Sequence, residues 1–246
     1  MTRRLLIRPG AIGDVILSLP ALEDARGDYT EVWVPRPLLP LIRFADRTRA
    51  IADTGLDLVG VVERDRWAAA EAVLESFDSI YSWYGTNRPE FREAVAHLPF
   101  TFFPALPPPE EGIPRIAVPE VPVQDFVVIH PFASSVSKRW PMERFRAVSE
   151  SIGVPVRWIA GPEEALEHAV RFDDLYELAC WLAGARAYIG NDSGIAHLAA
   201  AVGTPVVAIF LSSDPCIWAP RGSSVSVLEN PRVEDVVAAV REIIRG

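Results

Sequence analysis

The feature that most constrains the fold is a regular alternation of short apolar runs with longer amphipathic segments. Such alternation predicts strands followed by helices, an order that produces parallel sheets covered by helices. In the first part of the chain we expect helices at 13–26 and 65–77, and strands at 4–8, 31–34, 58–62 and 79–83.

A proline-rich stretch at 104–114 interrupts this alternation. Proline removes backbone donors and disfavours helix, so regular structure is not expected there. A second series then begins, with strands predicted at 126–130, 156–160, 187–190 and 206–210, and helices at 142–151, 175–184, 194–202 and 233–245. The sequence therefore predicts an α/β protein of two Rossmann-like domains, 1–121 and 122–246, each with a parallel sheet.

Composition argues against several functional classes, although it leaves a local basic patch open. The formal net charge of −9 argues against a nucleic-acid partner and against bulk attraction to anionic lipid. Two cysteines form no disulfide framework and favour a reducing cytosol. The apolar run near the N-terminus is cut by Arg8, Pro9 and Gly10, far below the length of a signal-peptide core. We expect a cytoplasmic protein, with at most peripheral contact with the inner face of the inner membrane.

Ligands of open α/β sheets bind beyond the carboxyl ends of the strands, so the turns that follow strands are the places to look for chemistry. The first such turn, RPGAIGD at 8–14, holds two glycines that permit a tight bend and close approach to a ligand. Asp14 opens the following helix. It serves either as a helix cap or as a functional acid, and this turn alone does not decide between them.

The second turn, HPFASSVSKRWP at 130–141, gathers hydroxyls and two cations before a helix that Pro141 can start. Lys138 is the only lysine among 24 basic residues. An ammonium differs from a guanidinium as a phosphate ligand. The turn is therefore a candidate phosphate cradle; the alternative is a solvated polar loop. We interpret Trp140 as a packing residue.

The third turn, GNDSGIAH at 190–197, combines polar helix-capping residues with the free N–H groups of a helix N-terminus, a combination that suits an anion. His197 has either a structural or a functional role here. Glu163 and Glu164 lie at another strand end, where they contact a ribose or cap a helix. Asp173 and Asp174 lack the partners that a metal site requires, so no metal is predicted.

The three turns together resemble glycosyltransferase family 9, the ADP-heptose:lipopolysaccharide heptosyltransferase family. The segments that carry the resemblance are residues 6–22, 130–134 with 138–141, and 190–207 with Asp214, Pro215, Trp218 and Pro220. The resemblance covers the C-terminal half almost throughout. In the N-terminal half, which is shorter than in the family, it covers mainly the first 25 residues.

This resemblance implies a GT-B fold, with two sheets facing across a cleft, and a metal-independent transfer that inverts the anomeric centre. It implies a nucleotide-diphosphate sugar as donor, with ADP-heptose expected, a lipopolysaccharide or other surface glycan as acceptor, and no cofactor. Asp14 is then the candidate general base, and Glu163 or Glu164 meets the ribose. The implied diphosphate and sugar contacts are Gly13, Ser134, Ser135, Lys138, Asp192, Ser193, Gly194, Ile195 and His197.

Two alternatives remain from the sequence. A non-catalytic relative would use the C-terminal site to bind a nucleotide or a partner protein; an acid at position 14 favours the enzyme, because a nucleotide binder has little use for it. A different GT-B enzyme, such as a sugar-nucleotide epimerase, has no supporting motif.

Overall fold

The computed structural model describes residues 1–106 and 112–245. The chain divides into two compact units, Met1–Glu111 and Gly112–Gly246. Residues 112–121 group with the second unit. There the Ile116 amide donates to the carbonyl of Ala201, and the Ala117 carbonyl accepts a bond from the Tyr176 hydroxyl. The domain boundary after residue 121 stays a prediction, and the middle of the proline-rich stretch, 107–111, lies outside the described residues.

The first unit contains one five-stranded sheet and short helices. Its elements are, in order, β1 (Arg3–Ile7), α1 (Ile12–Leu17), α2 (Leu19–Asp24), β2 (Tyr29–Val34), β3 (Arg47–Ala50), α3 (Ala68–Leu74), β4 (Ser79–Ser82), α4 (Pro89–Ala94) and β5 (Phe100–Phe102). The strands are parallel and lie in the order β3-β2-β1-β4-β5. From β1 the chain first adds strands on one side of the sheet, β2 and β3, and then on the other, β4 and β5. The order of strand addition therefore reverses between β1 and β4, although all strands stay parallel.

The second unit repeats this architecture with a different strand order. Its elements are β6 (Gln124–His130), α5 (Met142–Ser151), β7 (Val156–Trp158), α6 (Leu175–Ala183), β8 (Ala185–Asn191), α7 (Gly194–Ala201), β9 (Val206–Phe210), α8 (Pro215–Trp218), β10 (Val225–Glu229) and α9 (Val233–Arg245). The order β10-β9-β8-β6-β7 is parallel throughout and reverses between β6 and β8. Two parallel α/β sheets confirm the predicted fold class.

Each unit has its own apolar core. In the second unit, one face of β6, β8 and β9 packs against α5 and α9 through a cluster that includes Ile129, Phe145, Ile189 and Val240. Trp140 belongs to this cluster and is buried, so its interpretation as a packing residue is confirmed. In the first unit, Trp33, Phe91 and their neighbours form the corresponding cluster. Within the described residues, no helix has both the length and the apolar character needed to cross a membrane.

Several element predictions need correction. The strand predicted at 58–62 is wrong: those residues form turns, and Leu58 and Val61 are exposed. The strand between β2 and α3 is instead β3, whose charged sequence RTRA lacks an apolar run. The single helix predicted at 13–26 is divided at Ser18 into α1 and α2, with Pro20 in the first turn of α2, where its missing N–H costs nothing.

Gly190 shows how closely the second sheet is packed at its reversal point. A Cβ atom there would lie 2.5 Å from the Tyr188 hydroxyl and 2.9 Å from the His130 carbonyl oxygen. We predict that Gly190→Ala lowers the free energy of unfolding by about 1–3 kcal/mol, the usual cost of overpacking. Denaturant titration measures this change.

The matched control is Gly184→Ala at the other end of β8, where the nearest atoms to a new Cβ lie at an ordinary 3.5 Å. The double variant Gly190→Ala/Tyr188→Phe should recover only part of the loss, because it removes the hydroxyl and leaves the ring carbon at 2.8 Å and the His130 carbonyl at 2.9 Å. Equal stability of Gly190→Ala and wild type would contradict this account of the strand.

Candidate functional site

The three turns singled out from the sequence all follow strands that flank a reversal of strand order. The turn with Asp14 follows β1, the turn with Lys138 follows β6, and the turn with Asp192 follows β8. Crevices at such reversal points are where open α/β sheets bind their ligands. The turns after β6 and β8 belong to the same sheet, so their side chains can meet; Asp14 belongs to the other unit.

The first turn is shaped around the Asp14 carboxylate. Gly10 has φ +120°, and a Cβ there would lie 2.8 Å from the Asp14 Cβ, so only glycine fits. The Asp14 Oδ2 atom accepts a 2.7 Å hydrogen bond from the Ala11 amide. Asp14 therefore contributes to the cap of α1, but from the third position of the helix; the N-cap residue is Ala11. About a quarter of its side chain is exposed, so the carboxylate also remains accessible.

In the second unit, an ion pair joins the two site turns. The Lys138 ammonium donates to Asp192 Oδ2 at 2.6 Å across 54 residues of sequence. The Ser213 hydroxyl donates to the same oxygen at 2.5 Å. Asp192 is 6% exposed and Lys138 is 28% exposed at the side chain, so the cation presents the accessible part of the pair.

Asn191 fixes the position of this pair. Its amide is fully buried, accepts a 2.9 Å bond from the Trp140 amide and donates a 2.8 Å bond to the Pro131 carbonyl. The side chain therefore links the end of β8 to both ends of the turn that carries Lys138. Buried amides of this kind are stable only when their bonds are made, so the two turns are held in one arrangement.

The predicted hydroxyls of the second turn are exposed. Ser134 and Ser135 lie at its surface. The Ser135 hydroxyl accepts a bond from the Ser137 amide and lies 2.8 Å from the Ser137 hydroxyl, which in turn accepts a bond from Ser212. A short row of hydroxyls thus runs beside Lys138, in the chemistry expected of a phosphate cradle.

The third turn leads into α7, with Ser193 as N-cap residue. Its side chain does not cap the helix. Burial raises the pKa of the neighbouring Tyr188, and the Ser193 hydroxyl opposes that effect. Gly194 and Ile195 are half-buried in the first turn of α7, whereas Gly13 is buried in α1.

The two glutamates proposed to contact a ribose have different environments in the structure. Glu163 is exposed. Glu164 accepts bonds from the Gly161 amide at 2.6 Å and forms a 3.0 Å contact with His130 Nε2. Burial raises the pKa of Glu164, but the hydrogen bonds from His130 and Gly161 and the charges of His130 and Arg139 outweigh it, so the pKa lies below its ordinary value. Glu164 is therefore an ionised acceptor near the end of β6.

His197 is buried in α7 close to the ion pair. Burial lowers its pKa to about 4; the Asp192 charge opposes this, and the charges of Arg221 and Lys138 reinforce it. The imidazole is accordingly neutral at physiological pH. A neutral ring supplies one donor and one acceptor but no charge.

Among the described residues, one group of side chains has ligand atoms close enough together to hold a metal ion. Glu71, Glu75 and His97, in the first unit, place their ligand atoms within 4.8 Å of one another. Both Glu71 oxygens are already engaged, by Arg64 at 2.9 and 2.5 Å and by His97 at 2.7 Å. An arginine in this position competes with any cation. The absence of a metal stays a prediction.

Sequence reasoning missed several groups that the structure places in these turns. Ser213 contacts Asp192, His130 contacts Glu164, and Asn191 joins the turns. The position of Ser213, just after β9, was a usable signal, because β9 is the neighbour of β8. Arg8, the first residue of the first turn, was also missed as a site residue: its side chain is buried.

The sequence profile of glycosyltransferase family 9 (heptosyltransferase) matches residues 62–239. The match covers most of the chain and includes the turns that carry Lys138 and Asp192. The chain belongs to this family, as the resemblance of its motifs indicated.

Individual relatives agree with this assignment. The chain is similar to lipopolysaccharide heptosyltransferase 3 of Escherichia coli, with 32% identity over 124 residues, which cover 42% of this chain and 36% of that relative. Its fold is similar to Escherichia coli heptosyltransferase WaaC with ADP (TM-score 0.67, 16% identity, 99% of both chains). It is also similar to Escherichia coli ADP-heptose lps heptosyltransferase II (TM-score 0.71, 16% identity, 99% of both chains).

The neutral state of His197 has a consequence for stability. Between pH 6.5 and about 4 the unfolded chain takes up a proton on this ring and the folded chain does not. The stabilisation is therefore complete above pH 6.5 and is lost as the pH falls toward 4. We predict that His197 accounts for about 2 kcal/mol of the loss in unfolding free energy between pH 7 and pH 5.

Denaturant titration at the two pH values measures this loss. The difference in unfolding free energy between pH 7 and pH 5 should be smaller by about 2 kcal/mol in His197→Gln. It should be unchanged in His168→Asn, which replaces an exposed histidine. An unchanged pH dependence in His197→Gln would show that the buried ring becomes protonated in the folded protein.

Proposed function

We propose that the protein is an inverting, metal-independent glycosyltransferase that moves heptose or a related sugar from a nucleotide-diphosphate donor, ADP-heptose, to a lipopolysaccharide or other surface glycan. The observation that carries the proposal is the Lys138–Asp192 pair at the reversal point of the second sheet. Family membership and the likeness to a heptosyltransferase with ADP support the class of donor.

The donor would bind to the second unit through its diphosphate. An ammonium has three N–H donors, so Lys138 can keep its bond to Asp192 and still donate to a phosphate oxygen. The row of Ser135, Ser137 and Ser212 hydroxyls and the N-terminus of α7 would supply further donors. Asp192 would accept a hydrogen bond from a hydroxyl of the sugar, and Glu164 would accept one from a hydroxyl of the ribose.

Asp14 would act as general base. Its carboxylate takes the proton of the acceptor hydroxyl while that oxygen bonds to the anomeric carbon. The bond from the anomeric carbon to the diphosphate oxygen breaks on the opposite face, and the nucleoside diphosphate leaves with the electron pair. Attack opposite to the leaving group inverts the anomeric centre. Lys138 offsets the negative charge that develops on the leaving diphosphate.

The first unit would receive the acceptor. It contains a pocket of about 440 Å³ on the flank of α2, lined mainly by apolar and aromatic side chains with one carboxylate, including Asp24, Tyr81, Trp83 and Phe103. That volume is in the range of small-molecule sites. The proposed location is the cytoplasm, where such an enzyme would meet its acceptor at the inner face of the inner membrane by peripheral contact.

The role of Asp14 is tested by Asp14→Asn. Asparagine can still accept the Ala11 amide bond through its side-chain oxygen, so fold and donor binding should be retained. Turnover should fall about 10²–10⁴-fold, because the proton acceptor is removed. The measurement is release of nucleoside diphosphate from the donor in the presence of acceptor.

Asp78→Asn is the matched control, since Asp78 also accepts one backbone amide in the first unit, that of Arg3 at 2.7 Å. Full turnover in Asp14→Asn would place the base elsewhere. If the wild type binds nucleotide sugars but transfers to no glycolipid or glycan acceptor, the non-catalytic alternative is favoured.

The role of Lys138 is tested by calorimetric binding of ADP and ADP-heptose. Lys138→Ala should weaken binding by about 1.5–3 kcal/mol, the loss of a charge-assisted hydrogen bond. Lys138→Arg should recover only part, because a planar fork replaces a compact ammonium that meets a single Asp192 oxygen. Arg157→Ala, an exposed site in the same unit, removes the same charge and should leave binding unchanged. Equal affinity in Lys138→Ala and wild type would rule out the phosphate contact.

A further inference from the structure

Arg8 is the first residue of the turn that carries Asp14, and its charged side chain is buried. It follows the last residue of β1 and is 2% exposed. Removing a guanidinium from water is costly unless its N–H groups are bonded and its charge is compensated. The hydrogen bonds that Arg8 makes inside the first unit therefore have to compensate for the water that its guanidinium loses.

The guanidinium contacts three separate parts of the first unit. Its Nε donates to the Ser18 hydroxyl at 2.7 Å, and Nη1 donates to the Pro9 carbonyl at 3.0 Å. Its Nη2 donates to the Asp14 carbonyl at 3.2 Å and to the Ala105 carbonyl at 3.0 Å. One side chain thus joins the start of α1, the Ser18 junction and the segment after β5.

These contacts converge on Asp14. The Ser18 hydroxyl, which accepts from Arg8, donates to the Asp14 carbonyl at 2.9 Å. The carboxylate Oδ2 atom is held by the Ala11 amide, whereas Oδ1 lies 3.9 Å from Arg8 Nη2. Arg8 therefore bonds the backbone of Asp14 and attracts the carboxylate oxygen that the cap does not use.

We propose that Arg8 is a positioning residue for Asp14: it orients the Oδ1 atom of the carboxylate and fixes the turn that carries it. The inference rests on the proposed function, in which Asp14 takes a proton from the acceptor. A carboxylate that must meet one hydroxyl in line gains from being held in a single orientation before the reaction.

The geometry requires arginine. The fixed fork of a guanidinium sends N–H groups toward Ser18, Pro9, Asp14 and Ala105 together. The ammonium of Arg8→Lys keeps the charge, but a single nitrogen on a flexible stem cannot reproduce this spread of donors. Arg8→Lys therefore keeps a positive charge near the Asp14 carboxylate but loses the hydrogen bonds that fix the orientation of the carboxylate and its turn.

The kinetic test is a double-mutant cycle measured as ADP release from ADP-heptose with acceptor. Arg8→Lys should lower kcat by about 10–100-fold, while calorimetric ADP affinity changes by less than about twofold. In the Asp14→Asn background the same substitution should change the rate by less than about twofold, because it acts through a carboxylate that is gone. Multiplicative losses, or an unchanged kcat in Arg8→Lys, would overturn the proposal.

Arg3→Lys is the matched control. Arg3 also belongs to β1; its Nε donates to the Ser76 carbonyl at 3.0 Å and its guanidinium lies over the Tyr29 and Phe77 rings. None of these partners belongs to the Asp14 turn or to the pocket on the flank of α2. Its substitution should leave kcat unchanged. If Arg8→Lys does not fold, Ser18→Ala removes the Nε partner and the bond to the Asp14 carbonyl, and should give the same pattern with a loss of about 3–10-fold.

Hydrogen exchange provides a readout that does not need activity. The Ala11 amide is bonded to Asp14 Oδ2, so its exchange reports how firmly the carboxylate is held. Exchange at Ala11 should be about tenfold faster or more in Arg8→Lys and unchanged in Arg3→Lys, with the β9 amides of the second unit unaffected in both. Unchanged exchange at Ala11 would overturn the positioning role. Absence of ADP release by the wild type would instead contradict the proposed function, and the exchange result would still decide the role of Arg8.

Discussion

The candidate donor site depends on one buried amide, that of Asn191. It bonds the Trp140 amide and the Pro131 carbonyl, so the end of β8 is attached to both ends of the Lys138 turn. Without those bonds two buried backbone groups would lack partners, each at a cost of about 1–3 kcal/mol. The 2.6 Å contact between Lys138 and Asp192 follows from this attachment, because the residue after Asn191 then faces the turn.

The fold was predictable where burial dominates. Strands β6, β8 and β9 are buried on both faces, and their apolar runs identified them. Three of the four strands at the edges of the two described sheets, β3, β5 and β10, did not show such runs, since an edge strand that is partly exposed admits charged and polar residues. The fourth, β7, was predicted at 156–160 and spans Val156–Trp158. The error at 58–62 is the opposite one, because an apolar run there forms turns instead of a strand. The length of such a run alone does not distinguish a strand from a turn.

The turns of the candidate site could be predicted from the sequence, but the contacts between them could not. Strand-to-helix turns located Asp14, Lys138 and Asp192 without any knowledge of the sheet. Which of them meet depends on strand order, and only the structure shows that β6 and β8 are neighbours. The role of Asn191 was hidden for the same reason, because its partners are 51 and 60 residues away. Arg8 was hidden because a charge next to a strand is normally expected to be solvated.

Arg8 and Lys138 illustrate why this arginine-rich chain has a guanidinium at one turn and its only lysine at another. Arg8 must satisfy several acceptors in different directions from one buried position, which a rigid fork does. Lys138 meets one carboxylate oxygen and stays partly exposed, so a compact ammonium keeps N–H groups available to an incoming anion. A guanidinium paired with a carboxylate tends to form two parallel bonds and would direct more of its donors to Asp192. The geometry of each acceptor set thus favours the residue found there: arginine where several internal acceptors lie in different directions, and lysine where a single carboxylate oxygen is the partner.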